Sequence, residues 1–256
     1  MAADTIAVLS LKGGTGKTTT VRTLADVLRR AGLDVLAIDL DPQGNLSDYF
    51  DVPADASPSV ADVLSGDAKL KEAIYDGGIV PATLNLAEVE RSLSGKMGRE
   101  VVLKKALKDV RSEHDVILID CPPALGLLTV NGLVASDWAI VSSEAQYFAL
   151  QGVNGALEVI EQAREYYNDD LRVLGVLMNI ADMRTKHSRD AYAQLREAFG
   201  EQVFETVIRS SIAYAESAEK ALSILDHRPD LGADYQALAT EVLNRIGRVD
   251  ARSRLS

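Results

Sequence analysis

Eight consecutive residues, Lys12-Gly13-Gly14-Thr15-Gly16-Lys17-Thr18-Thr19, combine two lysines, three glycines and three hydroxyls. Glycines let successive backbone N–H groups turn inward around an anion, and a helix opening beside them adds its partial positive charge. Lys17 then reaches the outer phosphates of a bound nucleotide, and the Thr18 hydroxyl is placed to ligate Mg²⁺. Carboxylates stand at the ends of two aliphatic runs: Asp39 and Asp41 after Val35-Leu36-Ala37-Ile38, and Asp120 after Val116-Ile117-Leu118-Ile119. The tips of buried parallel strands are where such sheets bind ligands. Asp41 is thereby placed to hold or activate a water near the phosphates. Asp120 is placed to order water around Mg²⁺, which takes only one or two protein carboxylates. Asp39 also reads as a helix cap in a polar turn. Asn179, closing the run Leu171 to Ile180, carries an amide that both donates and accepts, which suits the edge of adenine. It reads equally as a turn residue ending a strand.

These side chains need a scaffold that brings strand ends together. Ile6 to Leu9 reads as a buried strand and Val21 to Ala31 as a helix, with Leu24, Leu28 and Ala31 at helical spacing. Strand, glycine-rich turn and Lys-Thr opening a helix is the layout of a phosphate-binding loop. Further strands are expected over Leu33 to Asp39, Asp115 to Asp120, Trp138 to Ser142, Leu171 to Ile180 and Val203 to Ile208. Helices are expected between them over Arg99 to Val110, Gly126 to Ala135, Val153 to Tyr166, Asp190 to Phe199 and Leu231 to Ile246. That alternation predicts an α/β fold: a single twisted, mostly parallel sheet flanked by helices on both faces. The chain, 1–256, reads as one domain, with an irregular insertion over about 51–98 and a basic tail over about 247–256. Within the insertion, Leu84-Asn85-Leu86 reads as a short strand, and no chemistry is legible there.

The loop departs from the common G-x-x-x-x-G-K-[ST] form, since Leu11 stands where the first glycine would fall. The additional lysine, Lys12, gives it a resemblance to the ParA/MinD group of deviant Walker-A P-loop ATPases. Asp39-Leu40-Asp41-Pro42-Gln43-Gly44-Asn45 resembles that group's switch segment, and Asp120-Cys121-Pro122-Pro123 its Asp-x-Pro-Pro strand end. The resemblance runs from Ile6 to Ile246. It implies that ATP and Mg²⁺ bind across Lys12, Gly13, Gly14, Thr15, Gly16, Lys17, Thr18 and Thr19. It further implies that Asp41 is needed for hydrolysis and that Asp39 lies near the magnesium. Two subunits would close as a homodimer in the ATP state, with Lys12 crossing to the partner's phosphates. Asn179 and Asp182 match two positions of the guanine-reading Asn-Lys-x-Asp, but its lysine is absent, which favours ATP over GTP. Glu144 to Gly152 resembles a loop bordering the dimer interface, where Tyr147-Phe148 reads equally as core packing. In DNA-binding relatives, arginines near Arg209 and Arg228 form a patch that grips nonspecific double-stranded DNA. Arg184 and Lys186, in the densest basic cluster before the C-terminus, join these candidates. The match is partial. Arg209 stands one position early, a second family arginine is Ala213 here, and nearby Glu216, Glu219 and Asp226 suit plain surface ion pairs.

Composition bounds the rest. An apolar share of 47% and a charged share of 25% are ordinary for a globular domain. A net charge of −11 excludes a broadly basic surface, so any DNA contact must be local. The single cysteine, Cys121, excludes a disulfide framework and the cluster ligation of nitrogenase iron protein, and reads as an inert thiol. No signal peptide or membrane span is expected. The tail Arg245, Arg248, Arg252 and Arg254 is basic, but beyond Ile246 only Val249 and Leu255 are bulky, too little for a MinD-like membrane anchor. It is expected to fringe the DNA patch or to lack order. The resemblance implies a slow, partner-stimulated ATPase, cytoplasmic and nucleoid-associated. Its partner would be a ParB-like protein in chromosome or plasmid partition, or an adaptor that positions a protein cargo. A membrane-surface division regulator is the alternative, and Lys12 disfavours a metabolic enzyme of the dethiobiotin synthetase type.

Overall fold

The computed structural model describes residues 2–146, 149–248 and 250. Seven strands form one sheet: β1 (Asp4–Leu9), β2 (Val35–Asp39), β3 (Ile79–Val80), β4 (Val116–Asp120), β5 (Trp138–Glu144), β6 (Arg172–Ala181) and β7 (Val203–Arg209). Their order is β3-β2-β4-β1-β5-β6-β7, and every neighbouring pair is parallel. The all-parallel arrangement agrees with the expected fold class. Among the described residues no helix is long and apolar enough to cross a membrane.

The helices are α1 (Lys17–Arg30), α2 (Asn45–Tyr49), α3 (Val60–Ser65), α4 (Leu86–Leu93), α5 (Val102–Leu107), α6 (Leu127–Val134) and α7 (Ala149–Tyr167), followed by α8 (Lys186–Phe199), α9 (Ala213–Glu219), α10 (Ile224–His227) and α11 (Pro229–Arg245). Alternation along the strands sends side chains to two cores. Ile6, Val8, Leu118 and Ile140 pack with Leu24 and Leu28 of α1 and Leu238 and Val242 of α11. Ala7, Leu9, Ile119 and Val141 pack on the other face with Leu103, Leu133 and Ile160 of α5, α6 and α7. Burial on both sheet faces explains why the central strands read as unbroken aliphatic runs.

Several expectations are corrected. Leu84–Leu86 is not a strand: Leu84 is exposed and Leu86 opens α4. The strand of that region is β3, two residues long, which pairs with Ala37 and Ile38 of β2. Residues 51–98 also bury Val60, Ala61, Val63 and Leu64 against the main core. The helix expected over Arg99 to Val110 is a 3-10 turn, Arg99–Val101, followed by the short α5. α8 starts four residues earlier than expected, because the Thr185 hydroxyl caps it by accepting from the Ser188 N–H at 3.2 Å. Tyr147, Phe148 and the tail arginines Arg252 and Arg254 lie outside the described residues.

The two described arginines of the basic tail belong to the fold. Arg245 donates to the carbonyls of Leu174, Glu201, Gln202 and Val203 and stacks on the Phe204 ring at 4.2 Å. Arg248 pairs with Asp4 at 2.5 Å and Asp115 at 3.3 Å, beside the N-terminal ends of β1 and β4. That is the end of the sheet opposite the glycine-rich loop. These two guanidiniums therefore do not fringe a patch at the strand tips.

Candidate functional site

Between β1 and α1, Gly14 (φ +77°) and Gly16 (φ +81°) adopt the left-handed backbone that glycine enters freely. At Gly16 there is also no room for a side chain, since a Cβ would lie 2.5 Å from Asn179 Nδ2. The loop is fastened from behind. Ser142 Oγ of β5 donates to the Thr15 carbonyl at 2.7 Å, and Thr20 Oγ1 donates to the Gly16 carbonyl at 2.8 Å. Thr20 in turn lies 3.4 Å from the buried Tyr235 hydroxyl of α11. Carbonyls held toward the sheet orient the loop's other face toward an open cavity of about 770 Å³. Gly13, Gly14, Gly16, Lys17, Thr18 and Thr19 line it, with Asp41, Gln43 and Tyr49 after β2, Ile180 near the end of β6, and Tyr214 and Ala218 of α9. The volume lies within the roughly 300–1,000 Å³ usual for small-molecule sites.

The strand tips bring the acids together. Asp39 and Asp120 are direct register partners on β2 and β4, both buried. Thr18 Oγ1 donates to Asp120 Oδ2 at 2.6 Å, while Asp120 Oδ1 is buried with no hydrogen-bond partner. Asp39 accepts from the Ser47 N–H at 2.9 Å, the Ser47 hydroxyl at 2.8 Å and the Asp41 N–H at 3.0 Å. Burial pushes Asp39 up to about 6. Burial, then the neighbouring Asp39 charge, pushes Asp120 up to about 8, and Lys17 opposes the shift. A small dication fits this donor set. It would reach the orphaned Asp120 oxygen and the Thr18 hydroxyl and relieve the repulsion between the carboxylates. No group of three or more His, Cys, Asp or Glu gathers as a metal cage among the described residues. Such an ion would take its other ligands from water and phosphate oxygens, as Mg²⁺ commonly does. Asp41 is nearly buried at the cavity edge, its carboxylate accepting from the Gln43 N–H at 3.0 Å.

Other candidates sit differently. Lys12 is half-exposed, its Nζ 2.8 Å from Glu144 Oε2 and 2.6 Å from Gln146 Oε1. Thr15 is buried beneath the loop. Asn179 does not line the cavity. Its amide nitrogen lies 3.1 Å from Thr20 Oγ1 and 3.4 Å from the Gly16 carbonyl, and its oxygen accepts from the Ile180 N–H. This geometry places the Asn179 amide behind the loop, in position to brace it. Cys121 is fully buried and its thiol is pushed far up by burial, so it is chemically quiet.

The basic candidates converge. Arg184 follows β6, Arg209 ends β7 where it registers with Ala181, and Arg228 precedes α11. All three line one surface pocket of about 530 Å³ with Ser210 and Ser211. Lys186, in the first turn of α8, is exposed beside them in sequence. Each arginine also has an acidic partner: Asp182 for Arg184, Asp234 for Arg209 and Asp230 for Arg228, each closest at 2.8 Å.

Sequence reasoning overlooked the residues that hold the loop and shape the cavity. Ser142 was legible as the first polar residue closing an apolar strand. Tyr235 and Thr20 gave no such signal. Nor did Asp51, Ile180 and Ala221, three non-glycine residues at φ +57°, +53° and +50° that all line the same cavity. For a β-branched residue such as Ile180 that conformation is a true outlier, costing about 1–3 kcal/mol, and such strain clusters at functional sites.

A family model described as an AAA domain (AAA_31) matches residues 3–173. The sporulation initiation inhibitor protein Soj of Bacillus subtilis is 37% identical over 245 residues, covering 93% of this chain and 97% of that protein. The chromosome-partitioning ATPase Soj of Thermus thermophilus is 40% identical over 246 residues, covering 94% and 96%. A Mycobacterium smegmatis structure named cobyrinic acid a,c-diamide synthase, with bound ATP analog and magnesium, superposes with a TM-score of 0.78. It is 37% identical, over 85% of this chain and 92% of that one.

Proposed function

The chain belongs to this AAA domain family, within its ParA/Soj group of P-loop ATPases, and from that premise we propose that it is an ATP-dependent dimerising switch that binds nonspecific DNA and releases it on hydrolysis. The observation that carries the DNA part is the meeting of Arg184, Arg209 and Arg228 on one pocket at the strand tips. Arginine suits phosphate because its charge is permanent and its planar fork matches two oxygens at once.

In this reading ATP lies along Gly13 to Thr19, with the Lys17 ammonium on the outer phosphates. Thr18 and Asp120 hold the magnesium, with Asp39 behind them. The ion, when bound, neutralises charge on the phosphate oxygens. Asp41 accepts a hydrogen bond from the attacking water and orients it in line with the bond to the leaving ADP. Lys12 leaves Glu144 and Gln146 and crosses to the partner's phosphates. Its exposed pair with Glu144 is of the kind worth about 0–1 kcal/mol, so the exchange meets no large barrier. Dimer closure joins two weak basic patches, and avidity makes DNA affinity depend on ATP. A ParB-like partner, or an adaptor carrying a protein cargo, would stimulate turnover.

The test uses the Asp41→Ala protein, which should bind ATP and dimerise without hydrolysing it. Retention of random-sequence duplex DNA is measured with ATP, with ADP and without nucleotide, across a salt series. ATP-only retention that weakens steeply with salt supports the switch, because phosphate contacts release counterions. Equal retention in all three states would keep DNA as a ligand but remove the nucleotide switch; absent retention would remove DNA as the track and leave the ATPase.

A further inference from the structure

Every guanidinium assigned to DNA already holds an anion. Arg184 grips Asp182 with two parallel bonds, Nε to Oδ1 at 2.8 Å and Nη2 to Oδ2 at 2.9 Å. Arg228 grips Asp230 in the same way, at 2.8 and 2.9 Å. Arg209 directs Nε at both oxygens of Asp234, 3.1 and 2.8 Å away, and bonds the Asp230 carbonyl through Nη2. A carboxylate and a phosphodiester both present two oxygens sharing one negative charge, so they occupy the same fork of an arginine.

Two of these pairs hold no separate elements together. Asp182 and Arg184 lie two residues apart in one loop, as do Arg228 and Asp230 at the start of α11. Exposed pairs of that kind add little to stability. Their effect falls on the arginines instead, whose charge is matched one for one: three guanidiniums by three carboxylates. The Arg184 guanidinium beside it holds the Asp182 carboxyl down to about 2.

We propose that Asp182, Asp230 and Asp234 compete with DNA phosphates for Arg184, Arg228 and Arg209, and so keep one protomer's patch below the affinity at which DNA is retained. Two patches joined in the ATP dimer then exceed that threshold together. The acids thus make retention depend on nucleotide, where three unpaired arginines would bind DNA in every state. This inference rests on the DNA-binding reading above.

The test replaces all three acids, Asp182→Asn, Asp230→Asn and Asp234→Asn, in the full chain. Asparagine keeps an oxygen that can accept from each arginine but removes the rival charge. A charge-matched control, Glu165→Gln with Asp169→Asn and Asp170→Asn, alters three exposed acids shortly before β6, toward the opposite end of the sheet. Fluorescence anisotropy with random-sequence duplex DNA is read with ATP, with ADP and without nucleotide. The triple variant should bind without nucleotide about tenfold or more tighter than wild type, with a salt slope steeper by about 0.9 for each arginine that gains a phosphate. Single Asp230→Asn should move part of the way. A triple variant matching wild type or the control overturns the proposal, as does weaker binding, which would make the acids positioning partners of the arginines. If wild type retains no DNA even with ATP, the parent reading fails; gain of binding by the triple variant would still uphold the competition, and its absence would end both.

Discussion

Lys17 and Asp120 are the residues where single atoms decide the chemistry. Lys17 is nearly buried and lines the cavity, so Lys17→Ala removes the ammonium that this protomer itself offers there. ATP affinity should fall by at least about 100-fold, the scale of a lost buried charge-assisted contact of about 3 kcal/mol; unchanged affinity by calorimetry would dismiss the loop as a nucleotide site. Asp120 makes a prediction about pH. Its folded pKa, about 8, lies above the ordinary carboxylate value near about 4, so the folded state holds a proton that the unfolded chain has lost. Stability of nucleotide-free protein should therefore fall as pH rises from about 4 to about 8. Asp120→Asn should flatten that fall in thermal melts while weakening the effect of Mg²⁺ on nucleotide binding; identical profiles for the two proteins would contradict the buried, unpaired carboxylate. The glycines, Lys17 and the two acids were legible because local spacing alone fixes their place at strand ends. Asn179 was not, because the end of β6 can aim an amide at a base or at the loop. Spacing could not give its contacts behind the loop, 3.1 Å to Thr20 Oγ1 and 3.4 Å to the Gly16 carbonyl.

At the scale of elements, β5, β6 and α11 hold the loop between β1 and α1 in shape. If Asn179 braces that loop, Asn179→Ala should weaken ATP and GTP binding by similar factors and leave the preference between them unchanged. Competition binding decides it, and a changed ATP-to-GTP ratio would return Asn179 to the base. β6 has its own tight point. A Cβ at Gly175 would lie 2.6 Å from the Phe204 ring and 2.8 Å from the Gln202 carbonyl. Gly175→Ala should cost about 1–3 kcal/mol in urea unfolding, the usual cost of overpacking; a neutral result would mean that β6 and β7 are looser here than the geometry indicates. The long central strands were readable from their aliphatic runs. β3 was not, since two residues show no period and its pairing with β2 is a tertiary matter. The early start of α8 depended on Thr185 acting as a cap, which a basic cluster conceals.

For the whole molecule, a net charge of −11 and an arginine-lined pocket coexist because three arginines distant in sequence, Arg184, Arg209 and Arg228, meet at one place. Arg209→Glu combined with Arg228→Glu should abolish DNA retention while ATP-driven dimerisation, followed by light scattering, persists. Undiminished retention would move the patch elsewhere. Sequence could nominate these arginines but not their local charge balance: Asp182 and Asp230 stand two residues away, whereas Asp234 is 25 residues from Arg209. It could not see that Arg248 closes onto Asp4, 244 residues distant. The sealed Cys121 bears on how such closure can be watched. It is the sole cysteine in the chain, and neither its exposure nor its protonation allows maleimide to react in the folded protein. A cysteine introduced on the surface of α11 is therefore the one addressable thiol without touching the native residue. Donor and acceptor dyes attached there would report subunit pairing by energy transfer, in a protein whose nucleotide site is otherwise unaltered.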